Sequence, residues 1–239
     1  MTGPIPAQRE PFWTWGDAAL FLGLSVPSLL LAIGLSRGIF MFFAHPPGDS
    51  VRLLVPQFLL YGIWLCALWL MLRFRYDEPF WESMAWRIPW PRMKWTLLIG
   101  PALVLGVAVL GEAMHTPAID NAIQRLLQDN WSIFLVGFFA TTLGPLAEEL
   151  VFRGFLQPLM TRTIGTAAGI AVASLPFSLL HGPQYSWSWR HILLLFLASV
   201  VFGVVRWRTG STAASTLVHA AYNLTFFTGF LLQRKDLLN

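Results

Sequence analysis

The chain has 239 residues, of which 56% are hydrophobic and only 12% charged, whereas a soluble domain carries about a quarter of its residues charged. With a mean hydropathy of +0.60, this excludes an ordinary soluble domain and points to an all-α polytopic membrane protein. The net charge of +4 and the pI near 9.7 would suit nucleic acid, but the basic residues flank apolar segments, which fits anionic lipid and topology signalling, so no nucleic-acid partner is expected.

A helix needs about 20 mostly apolar residues to cross the hydrocarbon. The first such span covers residues 17–36, and the aromatic stretch RGIFMFFAH after it reads as lying along the interface. Its leader is poor in positive charge, Arg9 being offset by Glu10, and no A-x-A-like site follows, so an uncleaved helix is expected rather than a signal peptide. A second span covers 52–72. The most polar connection, RFRYDEPFWESMAWRIPWPRMK, leads to a third span at 95–111. Residues 112–130 are mixed, and NAIQRLLQDN has the spacing of a short surface helix. The fourth span runs from 131 to 157, the fifth from 167 to 182, the sixth from 191 to 207 and the seventh from 212 to 232. The expected fold is a single membrane domain over 1–239. It is a bundle of about seven transmembrane helices, six to eight if one element is re-entrant. Many of the 12 tryptophans lie near span ends, where Trp favours the membrane–water boundary. Cys66 is the single cysteine and cannot form an intrachain disulfide.

Lys and Arg placement sets orientation. With a cytoplasmic N-terminus, the inner side holds Arg9, Arg73, Arg75, Arg87, Arg92, Lys94, Arg162, Arg206 and Arg208. The outer side holds Arg37, Arg52, Arg125, Arg190, Arg234 and Lys235. The bias favours a cell inner membrane with the N-terminus in the cytoplasm.

Among the acidic residues, only Glu148 and Glu149, in PLAEELVFRGF, sit well inside a span. An ionised side chain there costs roughly 2.5–3.5 kcal/mol on insertion scales, so such groups face a partner or a wet cavity. Glu149 and Arg153 are four apart and share a helix face, where they can pair and lower each other's burial cost. Glu148 lies about 100° round the helix, free to face a cavity. The bland alternative is an ion-pair triad that pins helices together. Two further polar islands bear on the choice. Phe177 and His181 are four apart in LPFSLLHGP, and His219 and Asn223 are four apart in VHAAYNLTFF. Each alone is more often packing or interhelical glue. Counted from one membrane side, Glu148, His181 and His219 fall about 14–17 Å deep, so they can meet at one level. Gly165, Gly169 and Ala173 form a small-xxx-small series on the fifth span, which favours close helix packing.

At these residues the chain resembles a known family. Glu148-Glu149-x-x-x-Arg153, Phe177-x-x-x-His181 and His219-x-x-x-Asn223, in this order on separate helices, are similar to the motifs of the CPBP family, the CAAX-protease and bacteriocin-processing (Abi) intramembrane glutamate proteases. The resemblance covers about 131–228. It implies an endopeptidase without metal or cofactor, acting on a peptide or protein substrate, lipidated or membrane-embedded. It implies that Glu148 and His181 activate a water, that His219 and Asn223 form an oxyanion hole, and that Glu149, Arg153 and Phe177 support the site. Two rivals stand beside it. Glu148, His181 and His219 have the residue types of zinc ligands, although no H-E-x-x-H helix is present. A non-proteolytic scaffold or carrier would also keep intramembrane charge. GLSRG at 34–38 fits G-x-S-x-G, but it ends a membrane helix rather than joining a strand to a helix, and is read as chance.

Overall fold

The computed structural model describes residues 11–89, 93–119, 125–127 and 129–233. Its elements are all helical: α1 (Trp15–Phe40, broken at Leu24), α2 (Asp49–Arg75), the short α3 (Phe80–Ser83), α4 (Met93–Ala113), α5 (Asn130–Ile164), α6 (Thr166–Leu180), α7 (Trp189–Thr209) and α8 (Thr212–Gln233). Among the described residues, α1, α2, α4, α5 and α7 are long and apolar enough to cross a membrane. α6 is apolar but has 15 residues. α8 has 22 residues and is diluted by polar side chains, yet Thr212, Ser215, Thr216 and His219 are buried. Its polar residues near the start are turned into the protein, while Leu224 and Leu232 are exposed. The expected all-α polytopic membrane fold is therefore present, with five such long apolar spans among the described residues rather than seven. The proposed surface helix at NAIQRLLQDN falls largely outside the described residues.

The helices alternate in direction, so the bundle has two distinct ends. One end gathers the N-terminal segment, the ends of α2, α5 and α7, α3 and the start of α8. There Trp13 Nε1 donates to the Phe155 carbonyl at 3.1 Å, Thr212 N donates to the Ala85 carbonyl at 3.0 Å, and Asp17 is buried against Thr14, Tyr76 and Arg75. The other end gathers the starts of α2, α5 and α7 and the ends of α4 and α8. Ser50 and Ser132 share a hydrogen bond there at 3.0 Å, and Arg190 Nη1 donates to the His115 carbonyl at 2.9 Å.

Three boundaries differ from expectation for identifiable reasons. α5 continues past residue 157 to Ile164 and is 35 residues long, about 52 Å at 1.5 Å per residue, more than the hydrocarbon needs. Pro158 does not stop it, because π-helical turns absorb the missing N–H (below). α6 ends at Leu180, so His181 is the cap after the helix rather than a residue within it. Gly165 is not on α6's packing face; it is the joint between α5 and α6, at φ +84°, a conformation glycine adopts without strain. Gly169 keeps its expected packing role, since a Cβ there would come within 2.5 Å of the Thr161 backbone. Ser36 of GLSRG is buried inside α1, its hydroxyl bonded to the Ala32 carbonyl at 2.6 Å.

Candidate active site

α5 is built around its two prolines. Pro145 and Pro158 have no N–H, so each leaves a carbonyl four residues back without its α-helical donor. The helix responds by widening. Residues Phe139–Leu143 and Leu150–Leu156 are π-helical, with Gly144 N–H reaching the Phe139 carbonyl and Gln157 N–H the Phe152 carbonyl. Such turns are frequent at functional sites. The first one has a direct consequence. With Gly144 bonded one residue further back and Pro145 unable to donate, the Ala140 carbonyl is left for a side chain, and Asn223 Nδ2 donates to it at 2.7 Å.

Between the two π-turns, Gly144–Glu149 is regular α-helix. The two glutamates therefore point about 100° apart, and their surroundings differ accordingly. Glu149 is completely buried. Its Oε1 accepts from Arg153 Nη1 at 2.8 Å and faces His219 Nδ1 at 3.0 Å. Arg153 spends its other nitrogen on α7, where Nη2 donates to the Ser199 carbonyl at 2.8 Å and to Ser199 Oγ at 2.6 Å. Its guanidinium lies over the Phe177 ring at 4.8 Å and the Phe202 ring at 5.5 Å, which attracts the cation. A pair with these extra hydrogen bonds is the form in which buried charges are tolerated, and removing one partner leaves the other stranded.

Glu148 keeps 16% of its side chain exposed. It lines a cavity of about 220 Å³, together with His181, His219, Asn223 and Phe177. Neither Glu149 nor Arg153 is part of the lining. The structure thus brings the four polar residues picked out as water-activating and oxyanion-binding to one space, on α5, α6's cap and α8, and puts the remaining charged pair behind it.

The ring nitrogens can be assigned from their partners. His181 Nδ1 is 2.8 Å from the Phe177 carbonyl, which only accepts, so Nδ1 carries hydrogen and, in the neutral ring, Nε2 presents a lone pair. His219 Nδ1 faces a carboxylate and likewise carries hydrogen. Its Nε2 is 3.9 Å from Glu148 Oε2. Phe202 stacks on this ring at 4.5 Å and 19°, and Phe177 meets it edge-on at 5.7 Å. These two aromatics fix the imidazole from both sides.

Sequence reading missed two contributors from α2. Tyr61 OH donates to Glu148 Oε1 at 2.6 Å, and Gln57 Nε2 donates to Tyr61 OH at 3.1 Å. Tyr61 also stacks on Phe139 of the first π-turn at 5.8 Å and 13°. A signal existed: Gln57 and Tyr61 are four apart in an apolar span, the same spacing that singled out His219 and Asn223. Ser199 was missed as well, and a lone serine in an apolar helix carries no such signal. Asp129 and Tyr185, both outside the long helices, have displaced ionisation. Hydrogen bonds from Ser132 Oγ and backbone N–H hold Asp129, the cap of α5, below the usual carboxylate range. Burial pushes the Tyr185 hydroxyl up, so at neutral pH it remains a donor at the cavity wall. Among the described residues, no three His, Cys, Asp or Glu side chains are grouped to hold a metal ion.

One family model matches the part of the bundle that carries these residues. The model that matches is described as Rce1-like, Type II CAAX prenyl endopeptidase Rce1-like, and it covers residues 129–225. The match covers less than half of the chain and agrees with the CPBP resemblance of its motifs. The comparisons with curated proteins and with solved structures give no match.

Proposed function

We propose that the protein is an intramembrane endopeptidase that hydrolyses a peptide bond with water activated by Glu148 and His181. The observation that carries this reading is the convergence of Glu148, His181, His219 and Asn223 on one cavity. Tyr61 occupies Glu148 Oε1, which leaves Oε2 as the oxygen that takes a proton from water. The lone pair of His181 Nε2 holds that water by its second hydrogen. The water oxygen attacks the carbonyl carbon, and the carbonyl oxygen becomes an oxyanion. Asn223 Nδ2 has a second hydrogen beyond the one given to Ala140, and it donates to this oxygen. His219 donates from Nε2. That donation requires a ring protonated on both nitrogens, with the Glu149 carboxylate at Nδ1 to balance its charge. Glu148 then delivers its proton to the leaving nitrogen, the C–N bond breaks, and a carboxylic acid and an amine result. Donors placed at a developing oxyanion are worth about 2.7–4 kcal/mol each.

The substrate in this reading is a peptide or protein segment within or at the bilayer, and the protein sits in a cell inner membrane with its N-terminus in the cytoplasm. The test is turnover of a peptide library by purified wild type, Glu148→Gln and His219→Ala. Loss in both variants is expected, and equal turnover in all three would sink the reading. Catalysis by a bound zinc ion predicts instead that chelators abolish activity and that stoichiometric zinc co-purifies. A carrier predicts variants that fail in transport but not in hydrolysis.

A further inference from the structure

Away from the Glu148 cavity, one buried charge has no partner. Arg206 lies on the last turn of α7, at the end of the bundle that gathers the N-terminal segment, α3 and the start of α8. It is 5% exposed, and its Nε is shut in without an acceptor. Arg153, buried to a similar degree, shows what a compensated arginine looks like. It has a carboxylate on Nη1, and a carbonyl and a hydroxyl on Nη2. Among the described residues no carboxylate pairs with Arg206, and the charged group that acts on it is a second cation, Arg87. Neither arginine lines the Glu148 cavity.

The backbone holds the two cations together. α7 ends at Thr209, and Gly210 turns the chain toward α8 at φ +64°, in the left-handed region that glycine enters without strain. The residues after the turn then bond the segment between α3 and α4. Thr212 N donates to the Ala85 carbonyl at 3.0 Å, Thr212 Oγ1 to the Met84 carbonyl at 2.6 Å, and Ser211 Oγ to the Arg87 carbonyl. Arg87 is thereby fixed through its own carbonyl, with its side chain exposed. Arg208 is exposed and occupied differently, its guanidinium lying over the Trp207 ring at 4.7 Å.

Like charges brought together repel, and a buried charge without a counter-charge is strongly unfavourable. An arginine cannot escape by losing its proton. Three hydrogen bonds nonetheless fix this arrangement, so the compensating charge comes from outside the chain. Depth narrows its chemistry. The 21 residues of α7 span about 31 Å, close to the thickness of the hydrocarbon. Arg206 is three positions before the end, about 4–5 Å along the axis, which puts its side chain near the level where lipid headgroups begin. A guanidinium matches phosphate oxygens with two parallel hydrogen bonds.

We propose that Arg206 and Arg87 form a binding site for a phosphate group, with Arg206 as the inner ligand and Arg87 closing the site from the surface. The group is the headgroup phosphate of a phospholipid or a free phosphate from solution, and the same two guanidiniums take either. Its binding clamps the segment between α3 and α4 against the turn between α7 and α8. The site is separate from the Glu148 cavity and does not depend on the peptidase reading.

The test measures thermal midpoints of the purified, delipidated protein in dodecyl maltoside. The protein is titrated with dioctanoyl phosphatidylglycerol, with dioctanoylglycerol, and with sodium phosphate against sodium chloride at equal ionic strength. Wild type is expected to be stabilised by a phosphate-bearing ligand and unmoved by dioctanoylglycerol, which has the same chains and no phosphate. A shift with phosphatidylglycerol alone names the headgroup as the source, and a shift of the same size with inorganic phosphate names free phosphate. Arg206→Met and Arg87→Met, each read against its own baseline, should need about 10-fold more ligand or beyond for the same shift, as expected for a lost charge-assisted hydrogen bond. Arg208→Met should titrate as wild type does. The proposal is overturned by no shift with either phosphate ligand, by an equal shift with dioctanoylglycerol, by wild-type titration in both Arg206→Met and Arg87→Met, or by an equal loss in Arg208→Met. Should Arg206→Met not accumulate, Arg87→Met, which alters an exposed side chain, decides the outcome. A failure of the peptidase reading shows elsewhere, as unchanged turnover in Glu148→Gln.

Discussion

The segment that matches the family and the helices that precede it contribute to the site in different ways. Residues 129–225 supply every ionisable group at the cavity, together with the buried pair that supports them. The preceding half supplies no charge at the site. It supplies a neutral relay, Gln57 to Tyr61 to Glu148, and a closure, with Trp13 bonded to the Phe155 carbonyl. Charge in a membrane is costly and is concentrated where helices that carry its partners already pack together. A hydroxyl or indole can come from any helix that passes nearby, because its burial needs only one hydrogen bond. The two halves should therefore break differently, the first by loss of reaction or collapse of the core and the second by graded loss.

The largest effect is expected from Glu148→Gln, which keeps shape and removes the base. Turnover of a cleaved peptide should fall by about four orders of magnitude or more, the range seen when one member of a catalytic unit is removed, while thermal stability in detergent stays close to wild type. Arg153→Met should act on stability instead. It strands the Glu149 carboxylate, and breaking a buried pair costs about 3–5 kcal/mol; a thermal midpoint equal to wild type would show that the pair is dispensable to the core. Asn223→Ala removes one donor and should lower kcat about 10²–10³-fold with KM little changed, read by steady-state kinetics. In the preceding half, Tyr61→Phe keeps the stack on Phe139 and deletes only the hydroxyl. Loss of one hydrogen bond to a charged group, about 1.5–3 kcal/mol, should lower kcat by about one to two orders of magnitude while KM holds. An unchanged kcat would mean that Glu148 is oriented without α2. The smallest effect is expected from Trp13→Phe, which forfeits a single neutral hydrogen bond worth about 1 kcal/mol and should show as a modestly lower thermal midpoint with turnover retained.

Much of this could be read along the chain because helical periodicity is local. The fourfold spacing of Glu149 and Arg153 is enough to pair them, and the 100° step is enough to separate Glu148 from them. The i, i+4 relation of His219 to Asn223 places both on one face, and both line the cavity. The same logic, left unapplied to span two, would have drawn attention to Gln57 and Tyr61. It could not have attached them to Glu148, 87 positions away in sequence, because nothing local specifies which helix faces which. Ser199 was illegible for the same reason. Its identity matters only because Arg153 reaches across to it.

The sequence by itself determined that the chain is an all-helical membrane protein, where its long helices run, and which buried charges neutralise one another, because hydropathy and helical phase are properties of a single strand of residues. Only the tertiary structure decided that His181 ends its helix instead of continuing it, that Tyr61 selects one oxygen of Glu148, and that Pro145 frees the carbonyl that holds Asn223. Each of these depends on which helices lie side by side, and that is settled by the packing of the whole bundle.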